Sequence, residues 1–156
     1  MGDVNGAGGE GSGRYDLTDW DDAGRALLTA TAADPDAALA AALTGILAAA
    51  SGGTLVARRP EEATSAAAIR GQGRDFPAVL TELAADLLAQ VDANGTGLSH
   101  VRLDGVLETD DGYTAWGYAL GIPNGNGATV NVELVDSPTV EQTPGTTVVR
   151  CTLRRF

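Results

Sequence analysis

The fold is decided by Asp75-Phe-Pro-Ala-Val-Leu-Thr-Glu-Leu-Ala-Ala-Asp-Leu-Leu-Ala-Gln-Val91, followed by Leu98-Ser-His-Val-Arg-Leu-Asp-Gly-Val-Leu-Glu108 and Tyr113-Thr-Ala-Trp-Gly-Tyr-Ala-Leu-Gly121. In the first segment Phe76, Val79, Leu80, Leu83, Leu87, Leu88 and Val91 recur at helical spacing and make one apolar stripe. Asp75 is a good N-cap, and Pro77 sits in the first turn, where its missing N–H breaks no helix bond. Asn94-Gly95 supplies the stop. The next two segments are extended runs around Asp110-Asp111-Gly112, which reads as a hairpin turn. A helix with one apolar face followed by a hairpin with one apolar face predicts a helix packed on an antiparallel sheet.

Outward from this stretch, the rest of the chain extends the same plan. Asp34-Pro35 opens another helix in the preferred order of cap and proline, with Leu39, Leu43, Ile46 and Leu47 as its stripe and Ser51-Gly52-Gly53 as its end. Tyr15 to Asp22 reads as an ordered acidic lead-in with a short edge strand. Arg25 to Thr31 reads as the first full strand, and Thr54 to Arg59 and Ala63 to Gln72 as two further strands. The last of these is alanine-rich and weak in β propensity. Ile122 to Gly127 is a turn-rich loop, Thr129 to Val135 an alternating strand, and Ser137 to Gly145 a loop or edge strand. Thr146 to Arg155 alternates Thr147, Val149, Cys151 and Leu153 against Val148, Arg150, Thr152 and Arg154, which suits a closing strand. Met1 to Gly13 is glycine-rich and too poor in apolar residues to order itself, so residues 1–13 read as a disordered tail and residues 14–156 as one domain. The expected fold class is α+β in two layers, with helices near 35–50 and 75–93 on one face of a mostly antiparallel sheet.

Composition narrows the function. The 156 residues carry a formal charge of −11 and a pI near 4.2. That is the wrong sign for a bare nucleic-acid surface unless the ten arginines cluster, so direct nucleic-acid binding is not expected. No apolar run is long enough for a membrane span, and the N-terminus lacks the pattern of a signal peptide. The single cysteine, Cys151, permits no intrachain disulfide and suits a reducing, cytoplasmic setting. With His100 the one histidine, no Ser-His-Asp set or zinc signature can be assembled, and an enzyme is not expected. Trp20 and Trp116 read as core or sheet-face packing. Asp21 and Asp22 are adjacent carboxylates of the kind that bind a hard cation, or they are solvated.

Taken in order, these parts resemble an archease. Asp34-Pro-Asp-Ala-Ala-Leu39 matches the start of the family's first helix, and Asp75-Phe-Pro-Ala-Val-Leu-Thr-Glu-Leu83 its second. Gly97-Leu-Ser-His-Val-Arg-Leu103 and Trp116-Gly-Tyr-Ala-Leu-Gly121 match its hairpin. The resemblance covers roughly residues 15 to 156. It implies an accessory protein that activates a tRNA-splicing RNA ligase, with a divalent cation held by acids from the first strand motif and the C-terminal strand.

This chain departs from that pattern at both places. Asp22-Ala-Gly-Arg25 stands for the first motif, and Leu153-Arg154 replaces the closing Leu-Asp. Alignment with the family would bring Arg25 and Arg154 to the acidic site, where two guanidiniums repel a cation and each other. The expectation is therefore a salt-bridged or anion-binding pocket compensated by Asp21 and Asp22, the nearest acids in sequence, and no tight metal site; the alternative is that both arginines simply point to solvent at strand ends. Two other readings stay open: an anion- or small-molecule-binding module, and a non-catalytic interaction domain.

Overall fold

The computed structural model describes residues 13–50, 65–94, 98–121 and 130–156. Among these the elements run β1 (Arg14–Leu17), β2 (Arg25–Ala32), α1 (Pro35–Ala50), β3 (Ser65–Gly73), α2 (Phe76–Asn94), β4 (Leu98–Thr109), β5 (Gly112–Gly121), β6 (Val132–Thr143) and β7 (Thr146–Arg155). The expected tail lies almost wholly outside the described residues, as do the Thr54–Arg59 strand and the Ile122–Gly127 loop.

Both helices begin where the sequence places their caps. The Asp34 carboxylate accepts the Ala37 N–H at 2.9 Å, and the Asp75 carboxylate accepts the Ala78 N–H at 2.9 Å. Each satisfies a first-turn donor that the helix itself cannot, a contribution of about 1 kcal/mol. In α2, Val79, Leu80, Leu83, Ala84, Leu87 and Val91 are buried, and Phe76 stacks on Tyr113 with ring centroids 4.5 Å apart. In α1 the apolar surface runs almost all the way round. Besides the predicted stripe, alanines 38, 41, 42, 48, 49 and 50 are buried. A helix apolar on every side must be covered on every side. Accordingly α1 touches β1, β2 and β7 on one side, β4 on another, and α2 along its flank.

The protein is α+β, with two helices packed on antiparallel strands. The strands are divided between two sheets rather than gathered in one. The large sheet has the order β1-β2-β7-β6 and the small sheet β3-β5-β4, every pairing antiparallel. The division has a local cause, since helices meet the outer edges of the small sheet. At β4, the Val101 N–H donates to Thr44 Oγ1 on α1 at 3.2 Å. At β3, the Arg70 N–H donates to Asp86 Oδ2 on α2 at 2.9 Å. α2 also reaches β6, so each helix bridges both sheets.

Close approach explains why β3 is built from small residues despite their poor strand propensity. A Cβ on Gly71 would stand 2.8 Å from the backbone nitrogen of Leu83, so a larger residue would lift α2 off the strand. Ser137 to Thr143 forms the second half of the edge strand β6. The register with β7 slips between Val135 and Thr139, Asp136 adopts φ 64°, and Pro138 sits inside the irregularity, where no ladder N–H is required of it. The core joins both sheets and both helices through Leu28, Leu43, Ile46, Leu83, Leu87 and Leu153, each less than 2% exposed.

Candidate functional site

The turn before β2 and the end of β7 meet at one end of the large sheet. β2 and β7 pair so that Arg25 stands opposite Arg154. The connection before β2 is closed by Asp21. Its Oδ1 accepts the Ala23 N–H at 2.8 Å and the Arg25 N–H at 2.9 Å, and its backbone N–H donates to the Arg25 carbonyl at 2.8 Å. Gly24 completes the turn at φ 76°, a conformation that costs glycine little. The end of β7 is tied to this turn: Arg155 N–H donates to the Gly24 carbonyl at 2.9 Å, and Phe156 N–H to the Asn131 carbonyl at 3.0 Å.

These ties frame an open cavity of about 580 Å³, lined by Asp22, Gly24, Asn131, Arg155 and Phe156 among others. Arg155 lies with its guanidinium 5.4 Å from the centroid of the Trp20 ring, a cation–π contact that holds the arginine at the rim. Among the described residues the cavity thus presents one side-chain carboxylate, one carboxamide and one guanidinium.

The predicted site residues are distributed differently from expectation. Arg25 and Arg154 are neighbours, as their strand positions require, but neither lines the cavity. Arg154 is ion-paired with Glu133, the residue opposite it on β6, and not with Asp21 or Asp22. Arg25 forms no ion pair among the described residues. The reason is cross-strand geometry: residues directly opposite share a face, so Arg25, Arg154 and Glu133 form one row across three strands, while Asp21 is spent on the turn. Of the two carboxylates only Asp22 faces the cavity. Sequence reasoning missed Arg155 and Asn131. The signal for Arg155 was parity, because it follows Arg154 and must lie on the opposite face.

The donor set does not fit a divalent cation. Calcium takes six to eight oxygen ligands, and magnesium is held by one or two carboxylates completed by waters or phosphates, with no cation beside them. Here, among the described residues, Asp22 supplies the one side-chain carboxylate at the cavity, and Arg155 places positive charge beside it. Among the described residues no group of three or more His, Cys, Asp or Glu is arranged to hold a metal ion.

No family model matches the chain, and no curated protein matches it. The fold has a known counterpart. The solution structure of Methanobacterium thermoautotrophicum protein 1598 is similar, with a TM-score of 0.65 and 19% sequence identity. The likeness covers 92% of this chain and 98% of that one. At that identity the likeness concerns the fold alone.

The remaining chemically notable residues lie elsewhere. Cys151 is buried in β7, and burial pushes its thiol up to about 12. His100 on β4 is half-buried, and loss of hydration pulls its pKa below the ordinary histidine value. Trp116 lies on the outer face of the small sheet, 42% exposed. Among the described residues no helix is long and apolar enough to cross a membrane.

Proposed function

We propose that this protein is an archease-like accessory factor, without chemistry of its own, that acts by contact on an RNA ligase partner in the cytoplasm. The observation that carries the reading is the junction of the β1–β2 turn with the end of β7. The resemblance draws the family's functional residues from those two segments, which are far apart in sequence, and here they share one cavity. The cavity's open shape and its mixed pair, Asp22 and Arg155, suit engagement of polar groups on a protein surface. No step of the proposal passes through a metal ion.

The test is guanylylation of a purified cognate ligase with and without the full chain. Acceleration that falls on Asp22→Ala and on Arg155→Ala supports the reading. An unchanged rate at saturating protein refutes it. The row of Arg25 and Arg154 favours a second reading, an anion-binding module, because Arg25 has no ion-pair partner among the described residues. Calorimetry separates the two: phosphate binding lost in Arg25→Gln, with no effect on the ligase, favours the module. Micromolar binding of calcium, magnesium or manganese that vanishes on Asp22→Ala would overturn the donor-set argument.

A further inference from the structure

The outer face of the small sheet carries an arrangement that neither the core nor the proposed ligase contact uses. Its rows are fixed by register. Arg70, Trp116 and Gly105 form one row across β3, β5 and β4, and Ala68, Tyr118 and Arg102 form the next. Trp116 is 42% exposed and Tyr118 36% exposed, while Ala115 and Ala119 on the same strand are fully buried. In a chain that is 4% aromatic, two large rings turned to solvent side by side are conspicuous.

The two rings are not equivalent. Tyr118 is occupied, since the Arg102 guanidinium stands 5.5 Å from its centroid and is itself neutralised by Asp104 at 2.8 Å. Trp116 is held differently. The six-membered part of its indole fills the space where a side chain on Gly105 would stand, so the ring lies across β4 with its other side toward solvent. Arg70, opposite Trp116, forms no ion pair among the described residues. Arg70 and Trp116 line one cavity of about 380 Å³ together with Asp86, Thr114 and Tyr118, within the ordinary size range of a small-molecule site. Asp86 is fixed by accepting the Arg70 backbone N–H, so the floor of the cavity is braced by α2.

We propose that this cavity binds a nucleoside phosphate, its base stacked on the indole of Trp116 and its phosphate held by the guanidinium of Arg70. A flat π surface accepts any base, and a guanidinium matches phosphate in a bidentate geometry. The Asp86 carboxylate and the Thr114 hydroxyl supply hydrogen-bonding partners for the base edge or the sugar. The occupant is a free nucleotide rather than a strand. A polyanion needs several phosphate contacts, whereas among the described residues this face offers one guanidinium outside an ion pair, on a chain of formal charge −11. The inference does not depend on the ligase reading.

The experiment uses the full chain carrying Trp20→Phe, so that Trp116 alone reports by fluorescence. Adenosine monophosphate, adenosine, inorganic phosphate and a short oligoadenylate are titrated in parallel, with ligand-observed NMR as a second readout. Saturable quenching by the monophosphate is expected. Its affinity should exceed that of adenosine by about tenfold, the scale of one charge-assisted contact. Arg70→Gln, on an exposed side chain, should erase that difference while leaving adenosine binding unchanged. Trp116→Ala should abolish binding by NMR. The proposal is overturned if the monophosphate gives no saturable signal, or if Arg70→Gln leaves its affinity intact. Tighter binding of the oligonucleotide than of the monophosphate overturns the assignment of a free nucleotide.

Discussion

Asp21 and Asp22 are identical in type and adjacent, yet their substitution should have unequal consequences for stability. Asp21 Oδ1 accepts two backbone N–H groups, at 2.8 and 2.9 Å, and closes the turn into β2. Replacing it with alanine removes both acceptors. The site is exposed, so water recovers part of each bond, and the net loss is about 1–2 kcal/mol, comparable to deleting a helix cap. Domains of this size shift by about 2–4 °C in Tm per kcal/mol. Asp22 faces an open cavity and, among the described residues, accepts none of the turn's hydrogen bonds, so Asp22→Ala should stay within about 0.5 kcal/mol of wild type. Both substitutions relieve the same charge repulsion in a chain of net charge −11, so the comparison cancels that effect. Asp21→Asn keeps an oxygen at Oδ1 and should retain most of the stability. Urea denaturation of the three variants is the assay. Equal losses from Asp21→Ala and Asp22→Ala, or an Asp21→Asn as unstable as Asp21→Ala, would refute the assignment of the turn to Asp21.

Other expectations follow from buried groups and close contacts. Cys151, with its thiol pushed up to about 12, should resist thiol reagents until the protein unfolds, which thiol-modification rates with and without urea will test. Because the unfolded thiol ionises first as pH rises above about 9, stability should fall as pH climbs from there toward 12, measurable by urea midpoints across that range. As the one histidine, His100 gives a clean NMR titration, expected to have its midpoint below 6.5; its neutral form is favoured in the fold, so its contribution to stability is lost as pH falls through that region. Gly71→Ala should cost about 1–3 kcal/mol by forcing β3 and α2 apart, and a neutral result would contradict the contact with Leu83. Leu43→Ala, at a fully buried position of α1, should cost about 2–5 kcal/mol in the same measurement.

The local parts of this fold were legible because local chemistry specifies them. Asp34 and Asp75 announce their helices, and Asp110-Asp111-Gly112 announces the turn between β4 and β5. The partition into two sheets was not legible. β2 pairs with β7, more than a hundred residues away, and no short-range signal encodes such a partner. Whether a strand edge is met by another strand or by Thr44 and Asp86 of a helix depends on assembled geometry. The irregularity around Asp136 and Pro138 made a strand resemble a loop. At the candidate site, the meeting of Arg25 with Arg154 was expected from the family resemblance alone, and Glu133 as the partner was not foreseen, because nearness in sequence favoured Asp21 and Asp22. The outward direction of Trp116 could have been read from Ala115, Gly117 and Ala119, whose small side chains leave room for a core only on their own face.

The helix side chains that meet the edges of the small sheet bear on what this protein does at high concentration. Among the described residues, Ser65-Ala-Ala-Ala-Ile69 is an uncharged extended segment at a sheet margin, the kind of template on which a second molecule can lay a strand. Asp86 occupies a donor on that margin and brings a negative charge to it, while Thr44 does the corresponding service on β4. Both act from helices that must stay docked to act at all. Brief undocking of α2 would therefore release a sticky margin beside an exposed indole, and self-association would begin from a molecule still largely native. Long-term colloidal stability is then governed by how rarely α2 leaves its place rather than by how rarely the whole chain unfolds.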